Sequence, residues 1–408
     1  MPKLSLRRRL PTLTLVVGLS LTAACGHSAG DSGSGPIKVG TSLPLTGEFS
    51  QSGKAAEQGY RVWAKMVNDQ GGLLGRQVEL VVKDDASNQN TIVADYNALI
   101  SQDKADLLAG SYSSLLNLPA SAVAERNRML FVEPAGGSPK MFNRGFKYLF
   151  FSQQAVSDRQ GALFADWLAK LPADRRPKTA AYPTLDDPFA APLVDNMRKT
   201  LEAADIQTVY QQTYAVDTKN FDTIASAMKA KAPDLVVHGA LFEDGVGLVN
   251  AMLKADLKPK WLFQTTAPSL GKQYADAIGA KNTEGITFAI SHAPQAKTPG
   301  NAEFVAAYEK MYGGEPPEDA GDAYAAGQIM AAAVKGVGSL GDQGKLADWL
   351  RANPVDTVLG NLRWNADGSP VGQYLIGQWQ SGKVEFVLPE DVATAQKIIE
   401  GWKPGVGG

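Results

Sequence analysis

Cysteine and histidine are both scarce in this sequence of 408 residues. Cys25 is the only cysteine, which excludes a disulfide within the chain. The three histidines, His27, His238 and His292, are far apart in sequence. Because no His-x-x-x-His pair and no cysteine cluster has the spacing of a metal site, we expect neither a metal ion nor another cofactor.

An excess of positive charge is also missing, since 40 Lys and Arg residues face 42 Asp and Glu residues. No basic patch is interleaved with aromatic residues, and this pattern argues against nucleic acid as a partner. The sequence has no Gly-x-Ser-x-Gly nucleophile elbow and no phosphate-binding Gly-Lys-Ser/Thr loop. We therefore expect a protein that is not an enzyme.

A long apolar run is absent as well, because the run Leu10–Ala24 has about 15 residues and contains Pro11 and Gly18. Spanning a bilayer takes roughly 20 apolar residues, so a permanent transmembrane helix is disfavoured. Basic residues come before the run, and Cys25 follows it directly. This order is typical of an export signal.

We interpret residues 1–24 as a signal peptide and Cys25 as a lipidation site. Residues 25–36 are rich in Gly and Ser, and they predict a flexible, lipid-anchored tether. The alternative is an ordinary secretory signal that is cleaved nearby. With the anchor, the protein would lie in the cell envelope, on the outer face of the cytoplasmic membrane.

The rest of the chain, about 380 residues, is long enough for two domains. Ala56, Tyr60, Trp63 and Val67 share one helical face, between strand signals at 37–42 and 78–82. Similar alternation continues through both halves, with further strands predicted at 107–109, 130–132, 179–182, 208–214, 235–238 and 261–263. The pattern predicts an α/β fold of two doubly wound parallel-sheet lobes, with antiparallel strands at 359–364, 374–380 and 383–388 near the end.

Three segments, 37–88, 105–137 and 358–383, carry a resemblance to a known family. They begin IKVGTSLPLTG, ADLLAGSYSSL and VLGNLRWNADG. In the order and spacing of these three segments, the chain resembles the type I periplasmic solute-binding proteins of ABC importers. Within that family it is most similar to the leucine/isoleucine/valine-binding branch.

The resemblance implies two lobes that close around a small ligand. By analogy three crossovers join them, near Gln154, Ser291 and Thr357. The first lobe would then comprise residues 37–153 plus 292–356, and the second 154–291 plus 357–403. The implied partners are an ABC permease and its ATPase, to which a monomer would deliver a small polar solute. A sensor of the same fold that feeds a signalling partner is the alternative.

Ser114 occupies the position at which the family hydrogen-bonds a ligand carboxylate, and Tyr112 and Ser113 are its neighbours. A helix N-terminus offers free N–H groups and partial positive charge, which suits an anion. The alternative is that these serines only cap the helix.

The loop Ala135, Gly136 and Gly137 also matches a family loop whose backbone touches the ligand. Phe189 lies near the tyrosine that stacks over the ligand in the family, and Phe242 is a further aromatic candidate.

Thr265 stands where family members that bind α-amino acids have a carboxylate for the ligand ammonium. A buried ammonium needs a partner. Either Glu243 or Asp244 supplies it, or the ligand has no ammonium group. We expect an amino acid or a close derivative, since the rest of the chain follows that branch.

Overall fold

The computed structural model describes residues 1, 2, 4 and 35–406. Cys25 and nearly all of the predicted signal peptide and tether lie outside these residues, so the lipid anchor stays a prediction. Among the described residues, no helix is both long and apolar enough to cross a membrane.

Short strands alternate with helices in the first part of the chain. In order they are β1 (Ile37–Leu43), α1 (Ser50–Asp69), β2 (Val78–Asp84), α2 (Gln89–Ser101), β3 (Leu107–Ala109), α3 (Ser114–Arg126), β4 (Phe131–Glu133), α4 (Pro139–Phe142) and β5 (Leu149–Phe151). The five strands form one parallel sheet in the order β2-β1-β3-β4-β5.

The alternation then restarts and builds a second sheet. Its elements are α5 (Ser157–Gln160), α6 (Ala162–Ala169), β6 (Thr179–Leu185), α7 (Ala190–Ala203), β7 (Gln207–Tyr214), α8 (Asp222–Lys231), β8 (Leu235–His238), α9 (Phe242–Lys254), β9 (Trp261–Gln264), α10 (Lys272–Ile278) and β10 (Thr287–Ile290). Strands β6 to β10 pair in parallel.

The last part of the chain adds three helices and four strands. They are α11 (Asn301–Tyr312), α12 (Glu318–Val337), α13 (Gln343–Ala352), β11 (Val355–Thr357), β12 (Gly360–Leu362), β13 (Leu375–Gln380) and β14 (Lys383–Leu388). Strands β13 and β14 extend the second sheet in antiparallel fashion, giving the order β14-β13-β10-β9-β8-β6-β7.

The predicted fold class, two doubly wound parallel-sheet lobes, is confirmed. The sequence patterns missed β5 and β10, which are three and four residues long and fully buried. Short apolar runs of this kind do not show the alternation that marks a half-buried strand. The strand predicted at 359–364 is shorter than expected, and it pairs with β11 in a small separate sheet.

Both faces of the first sheet are covered by helices, as a parallel sheet requires. On one face, Tyr60 and Trp63 of α1 are buried against the strands, as their helical spacing predicts. Helix α12 packs beside α1 in the same apolar core. The chain therefore returns from the second sheet to complete the lobe built on the first.

The side chain of Gln154 ties together the segments that pass between the two sheets. Its Nε2 donates to the carbonyl oxygen of Ser291 at 2.9 Å and to that of Leu359 at 3.1 Å. Gln154 itself follows β5, so three separate crossings of the chain meet at one amide. This junction lies directly beside the loops described next.

Candidate functional site

Two neighbouring cavities lie where the carboxyl ends of strands from both sheets face each other. Counted out to the open solvent, the larger has about 380 Å³ of empty space and the smaller about 330 Å³. Tyr112 and Leu241, one from each lobe, belong to the walls of both. The larger cavity is lined by Tyr112, Ser113, Ala135, Gln153, Phe189, Leu241, Thr266, Glu318, Asp319, Asp322 and Tyr374. Ligands of open α/β sheets bind at such carboxyl ends, so these cavities form the candidate site.

The loop after β3 places Tyr112 and Ser113 in the cavity wall. Tyr112 pairs with Ala135, which brings the ends of β3 and β4 together. Ser113 has a φ of 67°, a value that only a few per cent of non-glycine residues adopt. It caps α3 by accepting a hydrogen bond from Leu116 N at 3.4 Å. Strain of this kind is common at functional sites, although here it also serves the cap.

Ser114 lies one residue deeper and is fully buried. Its Oγ accepts a hydrogen bond from Ser138 N at 3.0 Å, so it joins the loop after β3 to the loop after β4. Ser113, and not Ser114, is in the cavity wall. The carboxylate-binding role of Ser114 stays a prediction, and in this arrangement Ser114 also holds the wall in place.

Buried Glu133 at the end of β4 shapes the loop that follows it. Its Oε2 accepts from Ala135 N at 3.0 Å and from Asn117 Nδ2 at 3.3 Å. Burial raises the pKa of this carboxyl to about 8. A Cβ on Gly136 would come within 2.6 Å of Glu133 Oε2, so a larger residue there would displace the Glu133 carboxyl. Of the predicted loop residues, Ala135 is the one in the cavity wall.

Phe189 of the second lobe forms part of the opposite wall, and its stacking over the ligand stays a prediction. The side chain of Asp187 holds it in position, since Oδ1 accepts from Phe189 N at 2.7 Å and from Ala190 N at 3.1 Å. A Cβ on Gly137 would lie only 3.3 Å from the Phe189 ring. A side chain at position 137 would therefore press against the Phe189 ring of the opposite lobe.

Thr265 is buried and lies behind the cavity. Its Oγ1 accepts from Ala240 N at 2.9 Å and donates to the carbonyl oxygen of the same residue. The hydroxyl thus links the ends of β8 and β9, and the next residue, Thr266, is in the cavity wall.

Phe242, Glu243 and Asp244 begin α9 and line the smaller cavity. Glu243 is exposed, while Asp244 is buried with both oxygens engaged. Asp244 Oδ1 accepts from Leu241 N at 2.9 Å, and Oδ2 accepts from Tyr214 OH at 2.5 Å. Burial raises the pKa of the Asp244 carboxyl to about 7. Neither acid therefore offers a buried, unoccupied oxygen.

The sequence analysis missed a group of three acids at the start of α12. Glu318, Asp319 and Asp322 are all buried and lie in the wall of the larger cavity. Burial raises the pKa of each carboxyl, and for Asp319 the value is about 8. The signal in the sequence, Glu-Asp-x-x-Asp at a helix start, is indistinguishable from an ordinary solvated first turn.

Two of these acids are held by the crossing segments. Glu318 Oε1 accepts from Ser291 Oγ at 2.8 Å and from Tyr374 OH at 3.3 Å. Asp322 accepts from Ser291 Oγ and from Gln153 Nε2, both at 2.5 Å. Ser291 has one hydroxyl proton, so it can donate to only one of the two carboxyls at a time. Burial and the mutual repulsion of the two carboxyls raise the pKa values of Glu318 and Asp322.

A pair of exposed charges closes the outer edge of the cleft. Lys219 Nζ lies 2.5 Å from Glu48 Oε2, and Glu48 also lines the smaller cavity. The pair joins a loop of the second lobe to the segment after β1. Exposed pairs of this kind contribute at most about 1 kcal/mol.

Relatives of known name match the chain over nearly its whole length. An amino acid binding protein of Pseudomonas aeruginosa is 26% identical over 380 residues, which cover 92% of this chain and 98% of the relative. A Leu/Ile/Val-binding protein homolog of Brucella suis is 25% identical and covers 90% of this chain and 96% of the relative.

Solved structures share the fold at lower identity. A solute-binding protein of an ABC transporter from R. palustris, in complex with benzoate, superposes with a TM-score of 0.78 at 22% identity and covers 91% of this chain and 99% of that one. The model of the family described as periplasmic binding protein matches residues 36–383. The two lobes, the cavity between them and this match over most of the chain place the protein in the periplasmic binding protein family.

Proposed function

We propose that the protein is the extracytoplasmic receptor of an ABC importer, which captures a small polar solute between its two lobes and delivers it to a membrane permease. The observation that carries this proposal is the cavity at the carboxyl ends of strands from both sheets, lined by residues of both lobes. The names of the relatives, amino acid binding protein and Leu/Ile/Val-binding protein homolog, support the same solute class.

The lobes would comprise residues 37–153 plus 292–356 and residues 154–291 plus 357–403. Support comes from the packing of α11 to α13 against the first sheet and from the junction at Gln154. A few residues at that junction would act as the hinge. Solute that contacts both lobes binds the closed form more tightly, and this difference in affinity drives closure.

The proposed ligand-binding residues lie on both sides of the cavity. They are Ser114, Ser113, Tyr112, Ala135, Gly136, Gly137, Phe189, Phe242, Glu243 and Thr265. Tyr112, Ser113, Ala135 and Phe189 would contact the solute directly, since they line the larger cavity. Ser114, Gly136, Gly137 and Thr265 would act through the loops that they hold.

Attachment to the membrane through Cys25 completes the proposal. Its position at the junction of the apolar run and the Gly/Ser-rich segment supports a lipid anchor. Comparing the wild type with Cys25→Ala in membrane and soluble fractions tests it. Equal partitioning of the two proteins would refute the anchor.

A thermal-shift screen across amino acids, amides, small carboxylates and aromatic acids tests solute capture. Ligand at 100 times its dissociation constant adds about 2.7 kcal/mol of stability, which gives a clear shift. Small-angle scattering of the same samples should show a monomer whose radius of gyration falls on binding. An unchanged radius at saturation would refute closure, and no shift with any compound would refute capture.

A further inference from the structure

Of the three acids that line the larger cavity, Asp319 has a buried carboxyl oxygen without a hydrogen-bond partner among the described residues, and Glu133 and Asp187, outside that wall, each have one as well. Asp319 is the second residue of α12, lines the cavity and is only 7% exposed. Over residues 35–406, no hydrogen-bond donor reaches its Oδ2. The hydroxyl of Ser52 lies close enough to lower the pKa of Asp319 slightly, yet Ser52 Oγ also makes no hydrogen bond of normal geometry.

The two neighbouring acids do not share this condition. Glu318 and Asp322 accept hydrogen bonds from side chains of the crossing segments, so they serve the junction between the lobes. Their carboxyls bind to those segments, whereas Asp319 lines the cavity and keeps one buried oxygen without a partner. The three acids therefore differ in their hydrogen bonding, although they lie side by side.

No positive group among the described residues pairs with Asp319. Within the described residues, no Lys, Arg or His nitrogen lies within 4.0 Å of its carboxyl oxygens. The walls of the two cavities contain no Lys or Arg, but they contain six acids. These are Glu48, Glu243, Asp244, Glu318, Asp319 and Asp322. The pKa values of five of these acids are raised, so the walls attract positive charge to the extent that these carboxyls are ionised.

A metal ion does not account for this arrangement. In the part of the chain that the structure describes, no three His, Cys, Asp or Glu side chains converge in a way that could hold a metal. A buried carboxylate without a partner is costly, because it has lost its water. An organic cation that enters the cavity would remove this cost and gain a strong, charge-assisted hydrogen bond.

We propose that Asp319 pairs with a positively charged nitrogen group of the solute, so that the captured compound carries an ammonium or amidinium group. This inference rests on the proposed function and narrows its solute class. It assigns the ammonium to an acid on α12, in place of Glu243 or Asp244. The exposure of Glu243 and the full hydrogen bonding of Asp244 favour the new assignment.

The charge state of Asp319 makes binding depend on pH. Burial, together with the charge of Glu318 on the same helix, raises its pKa to about 8. Other titratable groups that face this region are Asp322 on α12, Tyr112 after β3, Tyr374 before β13 and Asp187 before α7. A cation binds the ionised carboxyl, so its affinity should rise by up to about tenfold per pH unit between pH 6 and 8. A neutral carbonyl bound by the protonated acid would show the reverse trend.

Matched probes separate solute capture from cation recognition. Each set comprises an amino acid, its analogue without the ammonium group and its analogue without the carboxylate. The first set is L-leucine, 4-methylpentanoate and 3-methylbutylamine, and the second is L-phenylalanine, 3-phenylpropanoate and 2-phenylethylamine. Benzoate, L-arginine and agmatine are tested as well. We expect binding, measured by calorimetry, only from compounds with an ammonium or guanidinium group. Tight binding of the carboxylates alone would overturn the inference and leave the proposed function intact. Binding of no compound in this set would count against both.

The decisive variant is Asp319→Asn, which keeps the shape of the side chain and removes its charge. The affinity for the tightest-binding probe with an ammonium group should fall about 100-fold in this variant. The rise in affinity between pH 6 and 8 should also disappear. The matched control is Glu303→Gln, which alters an exposed acid in the first turn of α11, away from both cavities. Melting curves verify that both variants are folded. An unchanged affinity and pH profile in folded Asp319→Asn would overturn the inference.

Discussion

The helices α3 and α12 both begin at the larger cavity, and they present opposite chemistry to it. Helix α3 begins with Ser113 and Ser114 and has no acid in its first turn. Helix α12 begins with Glu318 and Asp319, and both are buried. Each helix start carries partial positive charge. At α3 that charge is left for a ligand, whereas at α12 it is met by the carboxylates of the chain itself.

Because of this difference, the two ends of the cavity favour ligand groups of opposite charge. Hydroxyl and backbone N–H donors at α3 suit a carboxylate, while the unpartnered oxygen of Asp319 suits an ammonium. Tyr112 lies between the two ends, because the charge of Asp319 acts on its pKa and because it directly precedes Ser113. A zwitterionic solute would be oriented by both ends at once. The predictions below test each end and the residue between them.

The largest effect should come from Tyr112→Ala. This side chain lines both cavities and is 5% exposed, so its loss removes a wall that the two cavities share. We expect the affinity for the best solute to fall at least 100-fold, about 3 kcal/mol, as for a central aromatic anchor. Calorimetry of this variant and of Tyr112→Phe measures it. An equal loss in Tyr112→Phe would show that the hydroxyl, and not the ring, matters.

The free energy of unfolding, measured without solute, should show whether the Asp319 carboxyl at the start of α12 is buried and unpaired. The pKa of Asp319 is about 8 in the folded protein and near 4 when unfolded, so folding takes up a proton at neutral pH. The wild type should therefore lose stability as pH rises from about 4 to 8. Asp319→Asn escapes this loss and should be more stable at pH 8 by about 2–4 kcal/mol. Denaturant titrations at pH 5 and 8 measure the difference, and equal stabilities at pH 8 would contradict the buried, unpaired state.

Ser114→Ala should have a moderate effect at the α3 end. It removes the acceptor of the Ser138 N hydrogen bond and loosens the link between two loops of the wall. The expected loss of stability is about 1 kcal/mol, with roughly tenfold weaker binding of compounds that carry a carboxylate. Compounds without a carboxylate should be affected less. If Ser114→Ala binds every compound like the wild type, the anion-binding end is wrongly placed.

The α3 end could be predicted from the sequence, and the α12 end could not. Tyr112, Ser113 and Ser114 follow a short strand and open a helix, so local order alone brings them to a strand end. The acids of α12 reach the cavity only because the chain leaves the second sheet and packs α12 beside α1. Burial of Asp319 thus depends on contacts with residues over 200 positions away, which no local pattern contains. For the same reason the sequence suggested Glu243 and Asp244, which follow a strand directly.

The smallest effect should come from the outer edge of the cleft. Lys219→Met removes the exposed pair with Glu48, which is worth at most about 1 kcal/mol and is screened by salt. We expect at most a fivefold loss of affinity at low ionic strength and none at 1 M salt. Lys272→Met, which breaks an exposed pair within α10, is the matched control and should change nothing. A large, salt-independent effect of Lys219→Met would make this pair part of the binding site itself.

Hydrogen exchange with and without the tightest-binding probe tests the central claim that solute binds between the lobes. We expect slower exchange in both lobes at once. In the first lobe, exchange should slow in the segments 110–116, 134–138 and 318–322. In the second lobe, it should slow in the segments 186–190 and 239–245. The rest of the two sheets should change little. Protection confined to one lobe, or lying outside these segments, would contradict the account.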